Sequence, residues 1–184
     1  MKIQCNDLLE GERRFSFSYD AEQFPVLMEI AADGNCEFPV PIDFSLRARQ
    51  TADLVEVDGE FATRLRLRCS RCLKPFEMDR DAPVALTYSR QLPESLILDG
   101  DGEIQLSPEE AGLIPYEGEE IDLIEGLQEQ VVLSIPYRTL CSDDCKGLCS
   151  RCGADLNQGD CGCDEDAIDP RFEALKHLKL PDKS

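Results

Sequence analysis

The 184-residue chain contains no tryptophan, a single histidine and only 7% aromatic residues. Imidazole chemistry therefore rests on His177 alone, which sits among lysines at a polar chain end and reads as a solvated surface residue. No apolar run approaches the roughly 20 residues of a membrane-spanning helix, which excludes that architecture. The opening residues Met1-Lys2-Ile3-Gln4-Cys5-Asn6-Asp7 lack an apolar stretch behind a basic head, and they are too acidic for an organelle transit peptide. These absences point to a cytoplasmic protein with no membrane contact. Neither a phosphate-cradling glycine loop nor a nucleophile motif occurs, so no catalytic residue, small-molecule substrate or enzymatic role is assigned. Residues 91–130 hold 12 acids and no base, and this stretch accounts for −12 of the formal net charge of −19. A chain this acidic does not coat nucleic acid non-specifically and suits basic partners better.

What the chain does have is cysteine. Eight of its 10 cysteines form close pairs, Cys69/Cys72, Cys141/Cys145, Cys149/Cys152 and Cys161/Cys163. Thiols stay reduced in the cytoplasm, so such pairs are metal half-sites rather than disulfides; five disulfides would be the reading for a secreted chain. Four two-thiolate half-sites match two four-cysteine centres, with structural zinc preferred and an iron–sulfur cluster as the rival. Three pairings are open. Only eight residues separate Cys152 from Cys161, among them the turn-formers Gly153, Asp155, Asn157 and Gly159, so Cys149, Cys152, Cys161 and Cys163 are expected to share one ion. Cys69, Cys72, Cys141 and Cys145 then share the other, across a 68-residue gap. Closing that loop costs only about 1–2 kcal/mol more than closing a ten-residue one, against roughly 10–16 kcal/mol of apparent zinc binding. The long-range centre would bolt a β-region to the segment after a helix, and the short one would organise the tail alone. Arg71, Lys74, Lys146 and Arg151 are placed to offset thiolate charge. A thioredoxin-type role for Cys69–Cys72 is disfavoured because Pro75 and strand-like sequence follow. Cys5 and Cys36, without near partners, read as small buried apolar residues.

The expected fold class is α+β: a mainly antiparallel β N-terminal region, one central helix, a Cys-rich zinc-binding segment and a short C-terminal helix. Arg14–Tyr19, Phe44–Arg49 and Val84–Tyr88 have strand patterns. Val55–Val57 and Phe61–Leu67 suggest a hairpin turning at Asp58-Gly59. The division is residues 1–90 as β-rich core, 91–121 as acidic connector, 122–136 as a helix packing on the core, and 137–184 as the zinc-binding segment with a terminal helix. Asp122 reads as the N-cap of the central helix with Glu125 completing a capping box; Ile124, Leu127, Val131 and Ile135 form its apolar stripe, and Pro136 ends it. Asp169-Pro170 opens the terminal helix, with Phe172, Leu175 and Leu178 on its apolar face. Arg47, Arg49, Arg64, Arg66 and Arg68 fall on one sheet face. They are either RNA contacts or one half of ordinary cross-strand charge pairs with Asp53, Glu56 and Asp58.

Three blocks resemble the YceD family, the large ribosomal RNA subunit accumulation proteins. They are Cys69-Ser70-Arg71-Cys72-Leu73-Lys74-Pro75-Phe76, then Tyr116–Leu123 followed by Glu129–Pro136, and Leu140 through Gly153 with Asp155-Leu156-Asn157 leading to Cys161-Gly162-Cys163. The resemblance implies a role in large-subunit ribosome biogenesis, promoting synthesis, processing or accumulation of ribosomal RNA. Partners would be pre-ribosomal large-subunit components, a basic ribosomal protein or ribosomal RNA. It also implies that the 149–163 centre is separable from the rest. The competing class is a metal-dependent transcription or redox-linked regulator; an RNA-processing enzyme lacks a catalytic constellation.

Overall fold

Strict period-two burial along the longest strands sets the architecture. In β4 (Ile42–Thr51), Ile42, Phe44, Leu46 and Ala48 are buried, while Asp43, Ser45, Arg47 and Arg49 face solvent. In β5 (Leu54–Arg68), Val55, Val57, Phe61, Leu65 and Leu67 point inward. One sheet face is thus apolar and the other charged, the pattern of a sheet covered on one side. The computed structural model describes residues 1–90 and 112–163. The 91–111 part of the acidic connector, His177 and the expected terminal helix lie outside these.

The main sheet runs in the order β2-β4-β5-β6-β7, where β2 is Arg13–Tyr19, β6 is Pro75–Ser89 and β7 is Leu113–Pro115. All its neighbours are antiparallel except β6 and β7. A short strand, β3 (Cys36–Glu37), pairs with β5 beside Leu67 and Arg66. Separately, β1 (Lys2–Gln4) pairs with β8 (Glu120–Asp122). Two helices cover the inner face, α1 (Pro25–Ala32) and α2 (Ile124–Ser134). Phe24, Leu27, Leu123, Leu127 and Val131 join the sheet's buried residues in one cluster. A second cluster of Cys36, Leu65 and Leu67 lies further along β5, with Ile135 and Phe76 against it. The α+β class is observed. Among the described residues no helix is long and apolar enough to cross a membrane.

The structure corrects the expected hairpin. Residues 58 and 59 are not a turn, because β5 runs unbroken through them. The chain reverses at Ala52-Asp53, with Thr51 paired to Leu54 and Ala52 at φ 54°. Gly59 is there because β4 passes too close for a side chain: a Cβ would lie 2.1 Å from the Ser45 carbonyl oxygen. A glycine inside a strand marks such an approach as readily as a turn. The helix start also differs. Asp122 ends β8, and its Oδ1 accepts the Ile124 N–H at 3.0 Å. The stripe of Ile124, Leu127, Val131 and Ile135 faces inward as its spacing implies. Helix α1, opened by Pro25 at its first turn, carries no clear sequence signal, because its apolar residues run on without a clear polar face.

Candidate metal centres

The first cysteine pair caps the β5–β6 hairpin. Its chain folds into a knuckle in which the Cys69 N–H donates to the Lys74 carbonyl at 2.9 Å and the Leu73 N–H donates to the Cys69 carbonyl at 2.9 Å. Closing it requires a left-handed residue, and Leu73 supplies it at φ 60°. The second knuckle repeats the same bonds: the Cys149 N–H donates to the Ala154 carbonyl at 2.8 Å, and the Gly153 N–H to the Cys149 carbonyl at 2.9 Å. Here Gly153 takes the left-handed position at φ 73°. The two knuckles share the tetrapeptide Cys-Ser-Arg-Cys, at 69–72 and 149–152. That short internal repeat was the available signal for their equivalence.

Backbone lacing then brings the distant half-site in. The Ser70 N–H and hydroxyl both donate to the Thr139 carbonyl, at 2.8 and 2.9 Å, and the Thr139 hydroxyl donates to the Arg68 carbonyl at 2.7 Å. Cys141 and Cys145 thereby reach the first knuckle. The Sγ atoms of Cys69, Cys72, Cys141 and Cys145 all lie within 4.8 Å of one another, and so do those of Cys149, Cys152, Cys161 and Cys163. In the first group Cys69 and Cys145 stand 3.7 Å apart and Cys72 and Cys141 3.6 Å apart. A tetrahedron with metal–sulfur bonds of about 2.3 Å has an edge of about 3.8 Å. Both groups could hold a metal ion. A multi-iron cluster, which interposes several irons and sulfides, spreads its four thiolates wider than one ion's edge.

The two nests differ in shielding. In the first nest Cys69, Cys72 and Cys145 are 0%, 4% and 2% exposed and pack with Phe76, Leu140 and Leu148, while Cys141 is exposed. In the second nest Cys152 is exposed and its three companions are half-buried. Their protonation follows the knuckle geometry. Burial pushes the Cys69 thiol up, but the N–H groups of Cys141, Cys72 and Arg71 outweigh it and bring the pKa down to about 6. The Cys152 and Arg151 N–H groups, ahead of the Cys161 thiol, bring Cys149 to about 6. The last cysteine of each nest moves the other way. Cys72, followed by burial and the remaining sulfurs, pushes Cys141 up to about 12, and Cys152 and Cys161 push Cys163 to about 12. Four crowded sulfurs resist carrying four negative charges, and a dication would relieve that.

One expectation changes. The 149–163 loop does not stand alone: it lies on the first knuckle. The Leu148 N–H donates to the Arg71 carbonyl at 3.2 Å, the Leu156 N–H to the Gly147 carbonyl at 2.9 Å, and Lys74 pairs with Asp155. Gly147, at φ 80°, is needed because a Cβ would sit 3.1 Å from the Arg71 oxygen. Arg71 and Lys74 are directed to the Cys145 carbonyl and the Asp155 carboxylate and serve as struts across the loop, while Lys74 also stays close enough to Cys72 and Cys141 to feel their negative charge, as expected of it. Lys74 first, then the Asn157 N–H and Gln158, holds the Asp155 carboxyl well below the usual carboxylate range. Sequence spacing had no means of showing these contacts.

On the outer sheet face the five arginines are accounted for one by one. Arg47 pairs with Asp58, Arg49 with Glu56, Arg64 with Asp79, and Arg66 with both Glu77 and Glu37. The Arg68 guanidinium donates to the Gly34 carbonyl at 3.2 Å. Cys5 and Cys36 are buried, and burial raises the Cys36 thiol to about 11.

A comparison with known families decides what kind of chain carries these nests. The sequence profile of the large ribosomal RNA subunit accumulation protein YceD matches residues 57–179, two thirds of the chain. The chain belongs to the YceD family. Its match begins within β5 and spans both knuckles and every cysteine of the two nests. An uncharacterised protein of Mycobacterium bovis, Mb2951c, is 31% identical over 141 residues, 77% of this chain and 63% of that protein. The YCED homolog 1 of Arabidopsis thaliana, named as a chloroplastic large ribosomal RNA subunit accumulation protein, is 24% identical over 156 residues, 76% of this chain and 49% of its own length. The Zea mays protein of the same name is 25% identical over 142 residues, 67% and 48% of the two chains. This YceD-family chain thus spans between about half and 63% of the length of these relatives. No solved structure matches it.

Proposed function

We propose that this protein is a non-enzymatic ribosome biogenesis factor that promotes accumulation of large-subunit ribosomal RNA, stapled by two structural zinc ions. The family match over residues 57–179 carries the functional reading. The 3.6 and 3.7 Å sulfur separations support the metal reading, since they suit a single tetrahedral ion. Cys69, Cys72, Cys141 and Cys145 would hold one ion, and Cys149, Cys152, Cys161 and Cys163 the other. A four-thiolate site has no open position for water, so each ion would fix chain geometry and activate nothing.

The direct partner in this reading is a basic ribosomal protein, met in the cytoplasm. The arginines that could have touched RNA phosphates already face carboxylates, and breaking those pairs would cost part of what the phosphates supplied. The surplus of acids over bases favours a cationic partner. Depleting the protein in growing cells should lower large-subunit ribosomal RNA relative to small-subunit RNA. Cross-linking should return a basic large-subunit protein, and recovery of ribosomal RNA alone would reject that partner. Elemental analysis of protein purified without chelator should find two zinc ions per chain. Reversible metal exchange at cellular thiol concentrations, with residues 137–163 still ordered, would instead favour a metal- or redox-linked regulator.

A further inference from the structure

We infer that Asn157 ties the two centres together by donating a hydrogen bond from the loop of the second nest to a sulfur of the first. The inference rests on the metal reading proposed above. Asn157 lies in the loop between the two half-sites of the second nest. Its Oδ1 accepts the Lys146 N–H at 2.8 Å, which fixes the orientation of the side-chain amide. That places Nδ2 on the opposite side, where it meets Asp155 Oδ1 at 2.7 Å and Cys145 Sγ at 3.5 Å. Cys145 belongs to the first nest and is 2% exposed, so this donor reaches a sulfur that solvent hardly touches.

The donor is held by loop geometry. Asp155 accepts the Asn157 backbone N–H at 3.0 Å and pairs with Lys74 on the first knuckle. An ion in the second nest would add to these restraints by closing both ends of the loop that presents Asn157. Loss of that ion would loosen the loop and weaken the N–H contact to Cys145.

An N–H group at a metal-bound thiolate draws charge from the sulfur. That matters where four thiolates outweigh one dication, and it makes the sulfur harder to protonate or oxidise. Outer-shell hydrogen bonds of this kind are typically worth 10–100-fold in metal affinity. Asn157 is thus a positioning residue, and occupancy of the exposed nest raises retention of the ion in the buried one. By linkage, the buried ion favours loading of the exposed nest by the same factor.

Cadmium-113 exchanged into the full chain provides the test. Wild-type protein should show two four-thiolate resonances, with a scalar coupling between the Asn157 side-chain amide proton and one cadmium ion. Asn157→Ala deletes the donor without setting a second carboxylate against Asp155, which aspartate would do at the 2.7 Å contact. It should abolish that coupling, shift only that resonance, and speed zinc release from the first centre to a competing chelator about tenfold. The double variant Cys152→Ser/Cys163→Ser, which disables the second nest without touching Asn157, should accelerate the same release. Absence of the coupling, together with unchanged first-centre release in both variants, would overturn the inference while leaving the zinc reading intact. A wild-type protein that takes up no metal would instead overturn the zinc reading and this inference with it.

Discussion

Leu73 and Gly153 occupy the same place in two copies of one knuckle, and only one of them suits it. A left-handed backbone costs an L side chain roughly 1 kcal/mol relative to glycine. Leu73 nevertheless adopts φ 60° with its side chain 57% exposed, so burial does little to offset the strain. Leu73→Gly should raise stability by about 1 kcal/mol in denaturant titration. A loss of stability would mean that the leucine packs in a way its exposure does not reveal. Protonation at the cysteines gives a second outcome at this scale. Without metal at neutral pH, Cys69 and Cys149 are largely thiolates, with pKa values near 6, while Cys141 and Cys163, near 12, keep their protons. Metal binding must expel those protons, so zinc affinity should rise with pH between about 6 and about 12 and fall away below 6. Calorimetry in buffers of different ionisation enthalpy would count the protons released. A pH-independent affinity would contradict the thiol assignments.

At the scale of elements, α2 meets β6 through a contact that reverses an ordinary rule. Replacing a helical glycine by alanine normally gains about 1 kcal/mol. At Gly126 a Cβ would lie 2.8 Å from the Tyr88 hydroxyl and 3.0 Å from Leu86, both on β6. Tyr88 is 2% exposed, so the added methyl would crowd buried side-chain ends, and Gly126→Ala should lose about 1–3 kcal/mol. Among the described residues the Tyr88 hydroxyl has no hydrogen-bond partner. Tyr88→Phe should therefore be neutral or stabilising, and it should rescue much of the alanine's cost. Additive losses in the double mutant would show that Leu86 makes the contact that matters. The same pairing of elements explains what was legible beforehand. Period-two patterns in β4 and β5 and the apolar stripe of α2 report burial directly. Gly59 misled because a glycine records only that a side chain is unwelcome, and both a turn and a close strand approach exclude one.

Across the whole molecule, among the described residues, the two cysteine nests lie outside the main core and reach it only through Phe76 and the small cluster of Cys36, Leu65 and Leu67. The large cluster between sheet and helices contains no cysteine of either nest, whereas the cluster around Cys69, Cys72 and Cys145 sits at the hairpin tip. Chelation should thus leave the far-ultraviolet β signal largely in place. It should also release residues 137–163 to rapid amide exchange and proteolysis, since ions worth roughly 10–16 kcal/mol each would no longer hold them. Cooperative loss of the entire sheet on chelation would show that the core depends on the metal far more than its packing implies.

The cysteine pairs, the two faces of the sheet and the acidic bias were set by the order of residues alone, because each depends on neighbours a few positions apart. Which pairs share a nest was open to three answers, and chain path chose among them: Thr139 lies against Ser70 and Arg68, delivering Cys141 and Cys145 to the first knuckle. Likewise the arginine stripe was readable, but its ion pairs depend on strand register, which aligns Arg64 with Asp79 and Arg66 with Glu77. The reach of Asn157 to Cys145 was settled last of all, by one loop folding onto another, a contact between parts of the chain that no spacing rule relates.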